Sequence, residues 1–292
     1  MTEAAVTEIV DAAGERVHVV ESGPVDGVPL LLTAGLGGAW FDWAPTVERL
    51  RDDYRVIVYD RPGLGLSPAA DARPTLARDT WIMEALAVRA GRPVIVLAHS
   101  MAAFAAEALA RLRPDDVLGL VLADPSHERT RLPPVPAGAA LTPLATAAGA
   151  VLDATRLAGV AGPLARRLII RRTSRRGDAV PDELVRSVYR RGTVLGTVIA
   201  EEIAYREMAA RLAWLRRRYS FPPIPLVVVT ALGDVRGPRR RRAWAEGHER
   251  LAEMSPNGTR VELPDALHMV PLDRPDVLAD AVARIHRASE VE

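Results

Sequence analysis

The chain has 292 residues, 49% of them hydrophobic, with 38 arginines, no lysine and 37 acidic residues, for a formal net charge of +1. That length suits one core carrying an insertion, and the near-neutral balance argues against a chain that grips nucleic acid through overall charge. The lack of any cysteine rules out disulfides, a thiolate nucleophile and cysteine-ligated zinc, so a reducing interior is the expected location.

The opening stretch "MTEAAVTEIVDAAGERVHVVESG" carries Glu3, Glu8 and Asp11 where a signal peptide needs a basic region and an apolar run. Export is therefore not expected, and a soluble cytoplasmic protein is. Six short apolar runs follow in order: "RVHVV" (17–21), "PLLLTAG" (29–35), "YRVIVYD" (54–60), "PVIVLAHS" (93–100), "LGLVLADP" (118–125) and "PLVVVTALGD" (225–234). Rich in Val, Ile and Leu without strict alternation, they read as strands covered on both faces. Segments of helical spacing lie between them, among them "WAPTVERLRDDY", "TLARDTWIMEALAVRAG", "MAAFAAEALARLRP" and "RPDVLADAVARIHRAS". Strand alternating with helix predicts an α/β fold: a doubly wound, mostly parallel sheet of about eight strands flanked by helices.

The alternation stops between His127 and Ser220, a stretch too long for a connecting loop. Residues 127–220 are expected to form a mostly helical cap inserted into a core made of 1–126 and 221–292. The cap carries 17 Arg against 8 acidic residues. Within it, the proline-rich 131–143 is the expected mobile segment. The uncharged run Leu132–Leu152, broken by Pro133, Pro134, Pro136 and Pro143, suits an insertion better than a membrane-spanning helix.

Ser100 stands at the junction of strand and helix in "VIVLAHSMAAFAAEAL" (94–109). There its hydroxyl projects above the sheet, and the Met101 N–H is available to a developing oxyanion. A lone serine at a strand end is as readily a helix cap, and a serine nucleophile needs a base. "LPDALHMVPLDRP" (263–275) supplies His268 before the last helix, and Asp234, ending a strand, supplies a carboxylate to hold the imidazole. Asp124 also ends a strand and is the alternative acid.

These residues and their surroundings resemble the α/β-hydrolase fold superfamily. The elbow pattern G-x-S-x-G reads Ala98-His99-Ser100-Met101-Ala102; "TAGLGGAWFDW" (33–43) is similar to the oxyanion loop, "YDRPGLGLS" (59–67) to the D-R-x-G-x-G-x-S turn, and "LHMVPLDRPDVL" (267–278) to the histidine loop. The resemblance implies Ser100 as nucleophile, His268 as base, Asp234 as acid, and the N–H groups of Leu36 and Met101 as the oxyanion hole. It departs from the pattern at both elbow glycines, which are alanine here, and at Ala34, where a histidine is common. Serine in place of an elbow aspartate turns the expectation away from dehalogenase and epoxide hydrolase chemistry and toward ester hydrolysis.

The expected function is thus a serine hydrolase acting on a small-molecule ester or acyl substrate, with no metal or other cofactor. Gly35, Trp40 and His99 are candidate pocket residues, while Asp60 and Arg61 read as bracing their turn. His18, His248 and His286 read as surface positions. Rivals are a catalytically silent scaffold with a binding or regulatory role, and a carbon–carbon hydrolase, thioesterase or perhydrolase using the same three residues. The arginine runs at 165–176, 214–220 and 236–244 lack aromatic interleaving and read as solvated helix faces, with no nucleic acid partner and at most a peripheral membrane contact.

Overall fold

The computed structural model describes residues 5–70, 72–127, 138–178 and 180–289. The six apolar runs form β2 (Glu15–Ser22), β3 (Val28–Thr33), β4 (Tyr54–Tyr59), β5 (Val94–His99), β6 (Val117–Ala123) and β7 (Leu226–Ala231). Two further strands, β1 (Val6–Ala12) and β8 (Gly258–Leu263), complete an eight-stranded sheet of order β1-β2-β4-β3-β5-β6-β7-β8. β1–β2 and β2–β4 pair antiparallel and every other pair is parallel.

The lack of alternation in the central strands has a packing cause. In β5, Val94, Val96 and Ala98 enter a core shared with α2 (Leu76–Ala90) and α3 (Ala103–Leu112). Ile95 and Leu97 enter the opposite core, shared with α1 (Ala44–Leu50) and α10 (Pro275–Ser289). Both faces of the strand are therefore apolar. The chain leaves β3 for β4 on one side and returns as β5 on the other, so the loops after β3 and β5 part company at their carboxyl ends. Open α/β sheets form their crevice at such a switch point.

Between β6 and β7 the chain forms α4 (Gly138–Ala154), α5 (Ala158–Thr173), α6 (Asp182–Tyr189) and α7 (Gly192–Arg216). Of the proline-rich stretch expected to be mobile, 131–137 lies outside the described residues. From Gly138 onward it is helix, with Pro143 inside α4. α4 and α7 touch backbone to backbone, since a Cβ on Gly149 would lie 2.4 Å from the Gly192 carbonyl oxygen. α7 is sewn to the body of the protein by Ala204, Met208 and Leu212, which join the core of α2 and α3. Among the described residues no single helix is long and apolar enough to cross a membrane.

Several charged or polar residues sit otherwise than their sequence context implies. His18 is buried and bonds Asp60 Oδ2 (2.8 Å) and Thr7 Oγ1 (2.8 Å), and His248 is wholly buried. Their strand and helix offer one inward face each, and these rings occupy it. His286 is half-buried, edge-on to Tyr54. Arg166, within an arginine run read as solvated, is buried and paired with Asp42 and Asp178.

Candidate active site

Ser100 follows the last residue of β5 and opens a 3-10 turn, Ser100–Ala102, that leads into α3. Its φ of 53° lies in the left-handed region, a conformation that costs a side chain about 1–3 kcal/mol. The turn throws the hydroxyl clear of the sheet and leaves the N–H groups of the first turn without partners inside the helix. Ala98 and Ala102 are buried beside it, so the methyl groups that replace the expected glycine hydrogens are accommodated. The close approach falls instead at Gly35, where a Cβ would lie 2.9 Å from Ser100 Cβ and 3.0 Å from His99 Nδ1.

His268 precedes the short helix α9 (Val270–Asp273), and its ring bridges two strand ends. Nε2 is 3.0 Å from Ser100 Oγ, and Nδ1 is 2.6 Å from Asp124 Oδ2. With Asp124 ionised, Nδ1–H donates to the carboxylate and Nε2 is left to accept the serine proton. The remaining Asp124 oxygen, Oδ1, accepts from the Ala231 N–H (3.0 Å) and from Trp244 Nε1–H (3.0 Å).

The carboxylate joined to the imidazole is thus Asp124, and the expectation of Asp234 in that place is corrected. β6 is hydrogen-bonded to β5, so its end lies one strand from Ser100, whereas Asp234 lies beyond the end of β7, a second strand away. Asp124 has φ 39°, a tight turn that aims its side chain across the strand ends. Asp234 Oδ2 instead receives the His268 backbone N–H at 3.3 Å.

The charges follow this arrangement. Burial alone raises the Asp124 pKa, but the hydrogen bond and charge of His268, with help from His248 and Trp244, hold the carboxyl below its ordinary value. Burial lowers the His268 pKa, and the bond to Asp124 and its charge outweigh it, so the imidazole sits above its usual value. Asp234 is pushed up, by burial first and then by repulsion from Asp124. His99 is driven down to about 3 by burial and by the neighbouring His268, and remains neutral. Its Nε2–H donates to the His268 carbonyl oxygen at 2.9 Å, fixing the loop that carries the ring.

Sequence reasoning passed over three supports. Trp244 and His248, on α8 (Pro238–Ala252), sit behind Asp124; His248 bonds Thr230 Oγ1 (3.0 Å) and the Pro125 carbonyl (2.8 Å). Their spacing of four on one helix was the available signal. Glu201 of α7 is wholly buried against Arg61, with Arg61 Nε 2.7 Å from Oε1. Arg61, read as a brace for its own turn, reaches further, to the carbonyls of Ala34 and Gly35.

Of the candidate pocket residues, Gly35 lies against Ser100, His99 is buried beneath it, and Trp40 is half-buried, edge-on to His18 and Phe41. Leu36 is partly buried against the α2–α3 core, and Met101 is buried at the start of the serine turn. Among the described residues no group of three or more His, Asp or Glu side chains could hold a metal ion.

The chain is similar in sequence and in fold to known proteins. A protein of Variovorax paradoxus (strain S110), provisionally named as the carbamate hydrolase RutD, is 36% identical over 110 residues, 36% of this chain and 41% of that protein. The (E)-2-((N-methylformamido)methylene)succinate hydrolase of Acinetobacter baylyi is 33% identical over 115 residues, 39% of this chain and 43% of that one. The chain therefore spans about two fifths of the length of the curated relatives it matches. A thermophilic esterase from Thermogutta terrifontis, solved with malate bound, superposes with a TM-score of 0.66 at 21% identity, covering 98% of this chain and 99% of that one, a likeness of fold alone. The model of the Alpha/beta hydrolase family matches residues 30–281, most of the sequence, and the chain belongs to that family.

Proposed function

We propose that the protein is a serine hydrolase that cleaves a carboxylic ester through an acyl-enzyme on Ser100. One observation carries this reading: the unbroken hydrogen-bonded series from Ser100 Oγ through His268 to Asp124. In the first step Ser100 Oγ bonds to the ester carbonyl carbon while its proton passes to His268 Nε2. The oxyanion so formed is held by the N–H groups of Leu36 and Met101. The carbon–oxygen bond to the alcohol then breaks, and His268 returns the proton to the departing oxygen. Water repeats the sequence on the acyl group, releasing the acid and restoring the serine. Asp124 stays ionised throughout and stabilises the imidazolium.

The same steps serve a carbon–nitrogen bond, and the names of the two relatives add carbamates and formamides to the substrates worth testing. Replacement of Ser100 by Ala is expected to abolish turnover of p-nitrophenyl acetate and to leave the thermal melt in place. A serine-reactive phosphonate should label the wild-type chain once, at Ser100. Turnover surviving in Ser100→Ala excludes the nucleophile assignment, and a wild-type protein neither labelled nor active points to the silent scaffold.

A further inference from the structure

We infer that Arg61, locked by Glu201 of α7, is the positioning residue that aims the Leu36 N–H at the reacting carbonyl; this rests on the hydrolase reading above. Arg61 donates to the carbonyl oxygens of Ala34 and Gly35, the latter at 2.8 Å. The chain has no cis peptide among the described residues, so the Gly35–Leu36 unit is trans and its N–H points opposite to its C=O. With the Gly35 carbonyl turned to Arg61, the Leu36 N–H faces away from the guanidinium. Gly35 itself lies hard against Ser100 Cβ.

Glu201 holds both ends of the device. Its carboxylate takes Arg61 Nε (2.7 Å) and Nη2 (3.0 Å), and its Oε2 also accepts the Gly37 N–H at 2.9 Å. The two side chains are 2% and 0% exposed, so no water competes for these bonds. A lysine at 61 keeps the charge but has neither the planar fork nor the reach for three acceptors.

The test is kinetic. Arg61→Lys and Glu201→Gln are each expected to lower kcat for p-nitrophenyl acetate about 10- to 100-fold, somewhat less than outright loss of an oxyanion donor, with KM little changed. Affinity for a boronic acid, which forms a tetrahedral anion on the serine, should fall in step with kcat/KM. The double variant should lose little more than either single one, because both act on one peptide unit. The pH of the acidic limb should stay put, since His268 is untouched. Variants that melt as the wild type yet keep full kcat and boronate affinity overturn the inference while the hydrolase reading stands. A variant that loses activity only through unfolding, in both positions, overturns it too. A wild-type chain that turns over no substrate and takes no phosphonate removes both.

A separate observation concerns the outer face of the helical insertion. Leu157, Val160, Leu164 and Leu168 recur at helical spacing along α5 and its approach, and they are 57%, 72%, 53% and 47% exposed. Leu144 and Val151 add a second exposed stripe on α4, and the two helices meet at 115°. Between residues 138 and 176 there are seven arginines, of which Arg166 is buried against Asp42 and Asp178 and Arg167 pairs with Asp182, and a single acid, Asp153, which is occupied by the Gly192 and Thr193 N–H groups. Exposed Arg171 and Arg172 continue the α5 stripe. Apolar side chains flanked by exposed cations such as these are the composition of a helix lying in an anionic lipid surface.

We propose that this face docks on an anionic membrane. Sedimentation with phosphatidylglycerol-containing vesicles should carry the protein down at low salt and release it at high salt. Neutral phosphatidylcholine vesicles should bind at least about tenfold more weakly. Leu164→Asp with Leu168→Asp should abolish binding, and since both side chains face solvent the melt should not move. No binding to anionic vesicles, or equal binding to neutral ones, refutes the proposal. So does a protein that is dimeric without lipid and becomes monomeric in the aspartate variant, since the face then joins two copies.

Discussion

Replacing Asp124 by Asn tests the site most directly, because the structure dictates how the amide must lie. Oδ1 of Asp124 faces two donors, the Ala231 N–H and Trp244 Nε1–H, each at 3.0 Å. An asparagine must keep its carbonyl oxygen there, for an NH2 group would meet two hydrogens. Its NH2 is thereby turned to His268 Nδ1, 2.6 Å away in the native side chain. Two N–H groups cannot face each other, so the ring changes tautomer: Nδ1 accepts and Nε2 carries the proton. The nitrogen beside Ser100 then has no lone pair for the serine proton. An inverted tautomer of this kind costs about 10⁴ in kcat in the serine protease triad, or about 5 kcal/mol of transition-state stabilisation. Asp234→Asn keeps an oxygen able to accept the His268 backbone N–H, 3.3 Å away, removes only a more distant charge, and should cost less than about fivefold. The assay is kcat/KM for p-nitrophenyl acetate, with a thermal melt as control. The pH profile adds a sign. His268 must be neutral to act, and its pKa is raised, so activity is present at high pH and is lost as pH falls through a value above about 6.5. Residual activity in Asp124→Asn should have its limb at lower pH. A loss of several decades in Asp234→Asn, with Asp124→Asn nearly intact, refutes the assignment.

Gly35→Ala places a methyl group 2.9 Å from Ser100 Cβ and 3.0 Å from His99 Nδ1, so the loop after β3 must move. We expect about a 100-fold fall in kcat for an ångström of displacement, against a stability loss of about 1–3 kcal/mol by denaturant titration. Arg166→Met leaves Asp42 buried without its cation, which should cost about 3–5 kcal/mol. For a chain of this size that lowers the melting temperature by on the order of 10 °C. Pairing it with Asp42→Asn should recover part of the loss.

The sheet was readable because its central strands are buried on both faces and their apolar runs stand out from the turns. β1 and β8 were not, because each is only partly buried and its apolar residues are interrupted by charges, Glu8 and Asp11 in "VTEIVDA" and Arg260 and Glu262 in "GTRVEL". Ser100 could be found from local sequence, at the end of an apolar run, and His268 from the loop before the last helix. The acid could not be settled there, since Asp124 and Asp234 both follow strands. What separates them is which strand lies beside β5, a fact of lateral order that no local window contains. Glu201 was hidden for a similar reason. It adjoins Glu202 on a long helix, and only packing makes the first buried and the second exposed.

The Arg61–Glu201 lock also bears on how such a scaffold can be rebuilt. Chimaeras that exchange the helical insertion of such a fold for that of a cousin treat it as a removable module. Here the helical insertion owns the anion with which a buried guanidinium beyond β4 is paired. A transplanted insertion lacking an acid at that spot would strand the cation in a dry interior and let the loop after β3 drift, so donors for such an exchange should be chosen by that one carboxylate before substrate fit is considered.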